Sequence, residues 1–125
     1  MPDYNEYSSI KGDRSLSQSF VAQYAAEAAL QVPGVAHLDS GLVVSLKEAF
    51  GAEHYGKGVR VRFDRNDSAI VNIDVYPIMY FGRVLPDVAW DIQDKVKQEV
   101  ETYTGLIVKE VNVQVMGVVE EGAAE

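Results

Sequence analysis

The chain contains no cysteine. That excludes a disulfide scaffold, a thiol nucleophile and any cysteine-held zinc or iron–sulfur centre, and it fits a reducing compartment. Histidine is nearly absent too. His37 and His54 are the two present, and neither belongs to an H-x-x-x-H pair or stands beside a serine–acid set. No apolar run approaches the ~20 residues that span a bilayer. Met1-Pro2-Asp3-Tyr4-Asn5-Glu6 lacks the positive and apolar regions of a signal peptide, so the expectation is a protein kept in the cytosol. Bases are scarce: 11 Lys and Arg against 19 Asp and Glu leave a net charge of −8. Phosphate binding usually needs a basic footprint, so bulk nucleic acid and anionic membrane are poor partners for such a chain.

Apolar residues, by contrast, make up 47% of the 125, enough for a core in one domain and too many for a disordered chain. The polar stretch 1–14 reads as a flexible N-terminal tail. Residues 15–118 read as a single domain. Residues 119–125 read as an acidic C-terminal tail with Glu120, Glu121 and Glu125 and no base.

A first helix is predicted from Ser15, where Ser15-Leu16-Ser17-Gln18 has capping-box spacing. Phe20, Val21, Tyr24, Ala25 and Ala28 then recur on one helical face, and Pro33-Gly34 stops the helix. Val35–Leu38 reads as a short strand. Leu42–Phe50 fits a short helix or a strand equally, and 51–58 reads as a loop with three glycines. Val59–Asp64 and Ala69–Tyr80 alternate apolar and polar residues, which is the period of strands buried on one face. The second strand loses its alternation near Pro77, which suggests an edge, a bulge or a strand end.

A second helix is predicted from Pro86 to Thr104, with the stripe Leu85, Val88, Ala89, Ile92, Val96, Val100 and Tyr103 facing the core. Asp91 and Lys95 are an i,i+4 pair on it, and Gly105 is its stop. A last strand covers Ile107–Met116. The economical assembly is an α+β two-layer sandwich: a mostly antiparallel sheet of three to four strands with both helices on one face. The other sheet face then stays open and carries Arg60, Arg62, Asn72, Asp74, Tyr76, Glu110, Asn112 and Gln114.

Chemistry is thin. Residues 51–58 nearly match the phosphate-binding G-x-x-x-x-G-K-[ST], but Gly58 replaces the hydroxyl that would hold magnesium, and a strand follows where a helix should. Asp87, Asp91 and Asp94 share about 60° of the second helix, yet carboxylates near a helix start are usually solvated and stabilised by the dipole. Lys57, Arg60, Arg62 and Arg65 form a local basic cluster. It reads either as a contact for phosphate, lipid or an acidic partner, or as a solvated strand face with arginine paired to Asp74 or Glu110. With Tyr76 as a stacking ring, it is also the footing for an alternative function, a small nucleic-acid-binding module. Trp90 lies about 140° from the centre of the apolar stripe at about 100° per residue. It is either an interface anchor or a residue covered by a tail or by the first helix.

Four stretches carry a family resemblance. The alanine-rich first helix runs into Val32-Pro33-Gly34-Val35. Gly58-Val59 opens a strand. Gly82-Arg83-Val84-Leu85-Pro86 matches a G-x-x-[IL]-P motif ahead of a helix. The block from Thr104-Gly105-Leu106 through Val111-Asn112-Val113 to Gly117-Val118 is the specific one. The chain resembles the alkaline-shock protein family of Gram-positive bacteria, the envelope stress response proteins, over roughly residues 18–118. Phe81 stands where the family has tyrosine, and Tyr103 where methionine is common. The resemblance implies a non-enzymatic cytosolic scaffold that self-associates. Its implied partners are further copies of itself and a small membrane-anchored protein at the inner face of the membrane. It brings no catalytic residues, no metal and no cofactor.

Overall fold

The computed structural model describes residues 14–39, 54–56 and 58–122. Its elements in chain order are α1 (Arg14–Leu30), β1 (Val35–Leu38), β2 (His54–Gly56), β3 (Val59–Phe63), β4 (Ile70–Val75), β5 (Pro77–Tyr80), α2 (Leu85–Thr104), β6 (Ile107–Val113) and β7 (Gly117–Val119). The α+β class expected from periodicity is the class observed. The N-terminal tail through residue 13 and the segment Leu42–Phe50 lie outside the described residues. Two boundaries shift: Arg14 already belongs to α1, and Val119 belongs to β7. The stretch read as a glycine loop contributes a strand, because His54–Gly56 pairs antiparallel with Val59–Val61.

The strands form two sheets, of order β1-β5-β7 and β2-β3-β4-β6. Tyr76 is the point of division. Its N–H donates to Gly58 O at 3.1 Å, at the head of β3, while its carbonyl accepts from Asp39 N at 2.8 Å, beyond β1. Pro77, which has no N–H to give a ladder, sits at the crossing. The second long strand divides in the same place. Gln114 N reaches Val75 O at 2.9 Å and Met116 N reaches Pro77 O at 2.8 Å, so β6 and β7 follow β4 and β5 from one sheet into the other. The pairs β4/β6 and β5/β7 are parallel. Helix α2 lies between them in sequence and supplies the crossover that parallel strands require.

One apolar core joins helices and sheets. Val59, Val61, Val71, Ile73, Val75 and Met79 meet Ile92, Val96 and Val100 of α2, all 0% exposed. Helix α1 presents Val21 and a run of buried alanines, Ala22, Ala25, Ala26, Ala28 and Ala29, whose small side chains let the two helices approach closely. The helices run antiparallel. Gly34, just past α1, abuts Val88 in the first turn of α2, while Tyr24 of α1 stacks on Tyr103 at the end of α2, with ring centroids 5.3 Å apart. Gly34 has φ +104°, and a Cβ there would lie 2.8 Å from Val88 Cγ2, so this turn requires glycine on both counts. Gly105 ends α2 in the left-handed conformation. Two residues assigned to apolar stripes are exposed instead, Phe20 at 49% and Tyr103 at 60%. Tyr103 keeps one ring face against Tyr24 and turns the rest outward.

Candidate interaction surfaces

Three surfaces follow from this frame: the polar face of the four-stranded sheet, the outward side of α2, and the free edge of β6.

Antiparallel register sets Arg60 opposite Asp74 and Arg62 opposite Asn72. Parallel register sets Asn72 beside Glu110 and Asp74 beside Asn112. Asp74 is therefore the centre of the face. Its carboxylate accepts from Arg62 Nε at 3.1 Å and Nη2 at 3.0 Å, and from Asn112 Nδ2 at 2.9 Å. Arg60 Nη1 adds an ion pair at 3.7 Å. The face expected to be open turns out to be partly closed, with Asp74 8% and Tyr76 5% exposed. Burial pushes the Tyr76 hydroxyl above its ordinary pKa, and the Asp74 charge adds to the rise. A hydrogen bond from Arg60 and the two arginine charges oppose it. The Tyr76 ring is consequently no stacking platform, and the guanidinium of Arg62 is held by Asp74. Of the other two members of the basic cluster, Arg65 is an exposed turn residue and Lys57 lies outside the described residues.

A shallow depression of about 410 Å³ opens among Arg60, Asp74, Tyr76, Asn112, Val113 and Gln114. Glu110 lies apart from it, lining a second groove beside α2. One atom on this face lacks a partner: Asn72 Oδ1 is buried and meets no donor.

The outward side of α2 is of another kind. Trp90 is 63% exposed, as its angular position predicts, so neither α1 nor any described segment covers it. Asp87, Asp91 and Asp94 stand exposed on the same side. Among the described residues no three histidine, aspartate or glutamate side chains converge as metal ligands, and this trio is no exception. Phe81 and Val84, in the turn before α2, are 70% and 63% exposed. The sequence reading did not single them out, although two apolar residues flanking the left-handed Gly82 were a visible signal.

The third surface went unread. Strand β6 is the outer strand of its sheet, and side chains of α2 bond to its free backbone groups. Gln93 Nε2 donates to Val111 O at 2.9 Å and Lys97 Nζ to Val108 O at 3.0 Å. Val108 N donates to Glu101 Oε2 at 2.9 Å, the same oxygen that Lys97 Nζ reaches at 2.8 Å. These two donors hold the Glu101 carboxyl below its ordinary pKa, Lys97 more strongly than Val108. The ion pairs within α2 are Lys95–Glu99 and Lys97–Glu101, and the expected Asp91–Lys95 pair is not among them.

No helix among the described residues is long and apolar enough to cross a membrane. The chain is 33% identical over 107 residues to the uncharacterized protein YqhY of Bacillus subtilis, covering 86% of this chain and 77% of that one. It is 32% identical over 109 residues to YloU of the same organism, at 86% and 88% coverage. Spy1614 of Streptococcus pyogenes is 29% identical over 105 residues, at 82% and 84% coverage. A zinc-form structure of the MamM CTD is similar at a TM-score of 0.48 and 18% identity, over 85% of this chain and 90% of that one. The model of the alkaline-shock protein family, described as having a cell envelope-related function, matches residues 6–120, and the chain belongs to that family.

Proposed function

We propose that the protein is a non-catalytic, self-associating scaffold that serves envelope homeostasis and stress response from the cytosolic side of the membrane. In this reading a small membrane-anchored protein brings it to that membrane. Family membership carries the envelope part. The observation that carries the scaffold part is Trp90, a large aromatic side chain standing 63% exposed on a regular helix whose apolar stripe is already buried elsewhere. Exposed tryptophan supplies much contact area at small entropic cost and is enriched among the residues that dominate interfaces. The polar residues are bound to one another around Asp74 rather than arranged about a reacting atom, which supports a role without catalysis.

The test is sedimentation velocity over a wide concentration range at low and moderate salt. Growth to larger species with concentration is expected. In Trp90→Ala that association should weaken by about 2 kcal/mol or more, the size of an interface hot spot. A chain that stays monomeric at every concentration and captures no membrane-anchored protein would sink the scaffold reading. Unchanged association in Trp90→Ala would remove Trp90 from it.

A further inference from the structure

An outer strand presents unpaired N–H and C=O groups and is a template for adding another strand. In β6 those groups are taken. Gln93, Lys97 and Glu101 stand at i, i+4 and i+8 on α2, one turn apart on one side of the helix. They reach Val111 O, Val108 O and Val108 N respectively. The strand also carries an extra residue, Lys109, because Val71 and Asn72 of β4 pair with Val108 and Glu110. Such bulges blunt edges as well. Between helix and strand lies a groove of about 360 Å³, lined by Gln93, Lys97 and residues 108–112.

We infer that this row is a guard on a latent strand-pairing edge, and that the occupant it excludes is β6 of a second copy of the chain. The sequence of β6 is self-complementary in one antiparallel register. Centring the pair between Lys109 and Glu110 sets each lysine opposite the other copy's glutamate, a favourable cross-strand pair. The same register sets Val108 opposite Val111 of the second copy. The Val108 N–H and the Val111 carbonyl, now held by Glu101 and Gln93, would there bond to each other across the interface. The atoms that α2 covers are the atoms a second strand would use. This inference stands apart from the scaffold reading, because it concerns association that begins only when the guard is removed.

The experiment is Gln93→Ala/Lys97→Ala/Glu101→Ala, studied by amide hydrogen exchange and by sedimentation velocity beside the unaltered chain. At low concentration the Val108 amide should lose about ten- to a hundred-fold of its protection, the loss expected for a hydrogen bond to a charged acceptor. With rising concentration the protection should return as a dimer forms. Adding Lys109→Glu, which sets like charges opposite, should suppress that dimer, and adding Glu110→Lys as well should restore it. Glu101→Gln keeps an acceptor for Val108 and serves where the triple variant folds poorly; it should stay protected, while Glu101→Ala should not. Unchanged Val108 exchange in Glu101→Ala, or an unguarded chain that stays monomeric at high concentration, would overturn the inference. So would a dimer indifferent to the charge swap.

Discussion

The two surfaces richest in interaction-like residues differ in one respect. On the polar sheet face, the central charge is answered within the molecule: Asp74 receives Arg62 at two points and Asn112 at a third, and Arg60 stands 3.7 Å away. On the outer side of α2, Trp90 has no such answer and remains 63% exposed. Charged side chains on a strand can satisfy one another through the sheet register, because the register brings opposite signs to adjacent positions. A tryptophan ring on a helix surface can be satisfied only by something that covers it. Hence the surface that reads as sticky from its charges is an internal network. The lone aromatic is the better mark of a partner.

The largest effect that tests this contrast is Asp74→Ala. Two part-buried guanidiniums and one amide would lose a common acceptor. Breaking a fully buried pair from one side costs roughly 3–5 kcal/mol, and the arginines here keep some solvent, so about 3 kcal/mol of stability should be lost. Trp90→Ala should change stability by under about 0.5 kcal/mol, as substitutions away from packed features do. Urea unfolding of the two variants separates them. Near-equal losses would erase the distinction between a structural network and an interface anchor.

Much of the fold was legible because burial on one face leaves a period. The valines of β3 and β4 and most of the stripe of α2 are buried as the spacing requires. The exposure of Trp90 followed from the same spacing. What stayed hidden depends on the third dimension. The division into two sheets needed the backbone at Tyr76, which alternation alone shows only as an interruption near Pro77. The parallel β4/β6 pair was available in principle from the strand–helix–strand order, since the intervening helix is the crossover. The burial of Tyr76 and Asp74 was not available, because a period-two pattern names a face without saying what lies over it. The guard on β6 was hidden for a further reason: Gln93, Lys97 and Glu101 are ordinary solvent-facing helix residues until the strand is laid beside them.

A smaller effect distinguishes the β6 edge from the Asp74 network by pH. The Glu101 carboxyl is held low by Lys97 and by the Val108 N–H, with Lys109 and Glu110 the charged groups on the strand facing the groove. A depressed carboxylate stabilises the fold above its unfolded pKa, and that stability is lost as pH falls through the lower folded value. Glu101 is partly solvated, so the contribution should not exceed about 1 kcal/mol. Val108 protection should therefore be full at neutral pH and decline only below the ordinary glutamate value of 4.5. The decline should be absent in Glu101→Gln. Exchange at Val108 that loosens well above that value would mean that some group other than Glu101 closes the edge.

The smallest expected effect lies back on the polar face. Asn72 Oδ1 is the one buried side-chain atom among the described residues that meets no hydrogen-bond partner. An unsatisfied buried acceptor carries its desolvation cost with no return, whereas an apolar group of similar shape carries none. Valine also suits a strand better than asparagine. Asn72→Val should accordingly leave stability unchanged or raise it by up to about 1 kcal/mol, opposite in sign to Asp74→Ala two residues away on the same strand face. A clear loss in Asn72→Val would show that this oxygen is answered after all, and that the polar face reaches beyond the chain to find a donor.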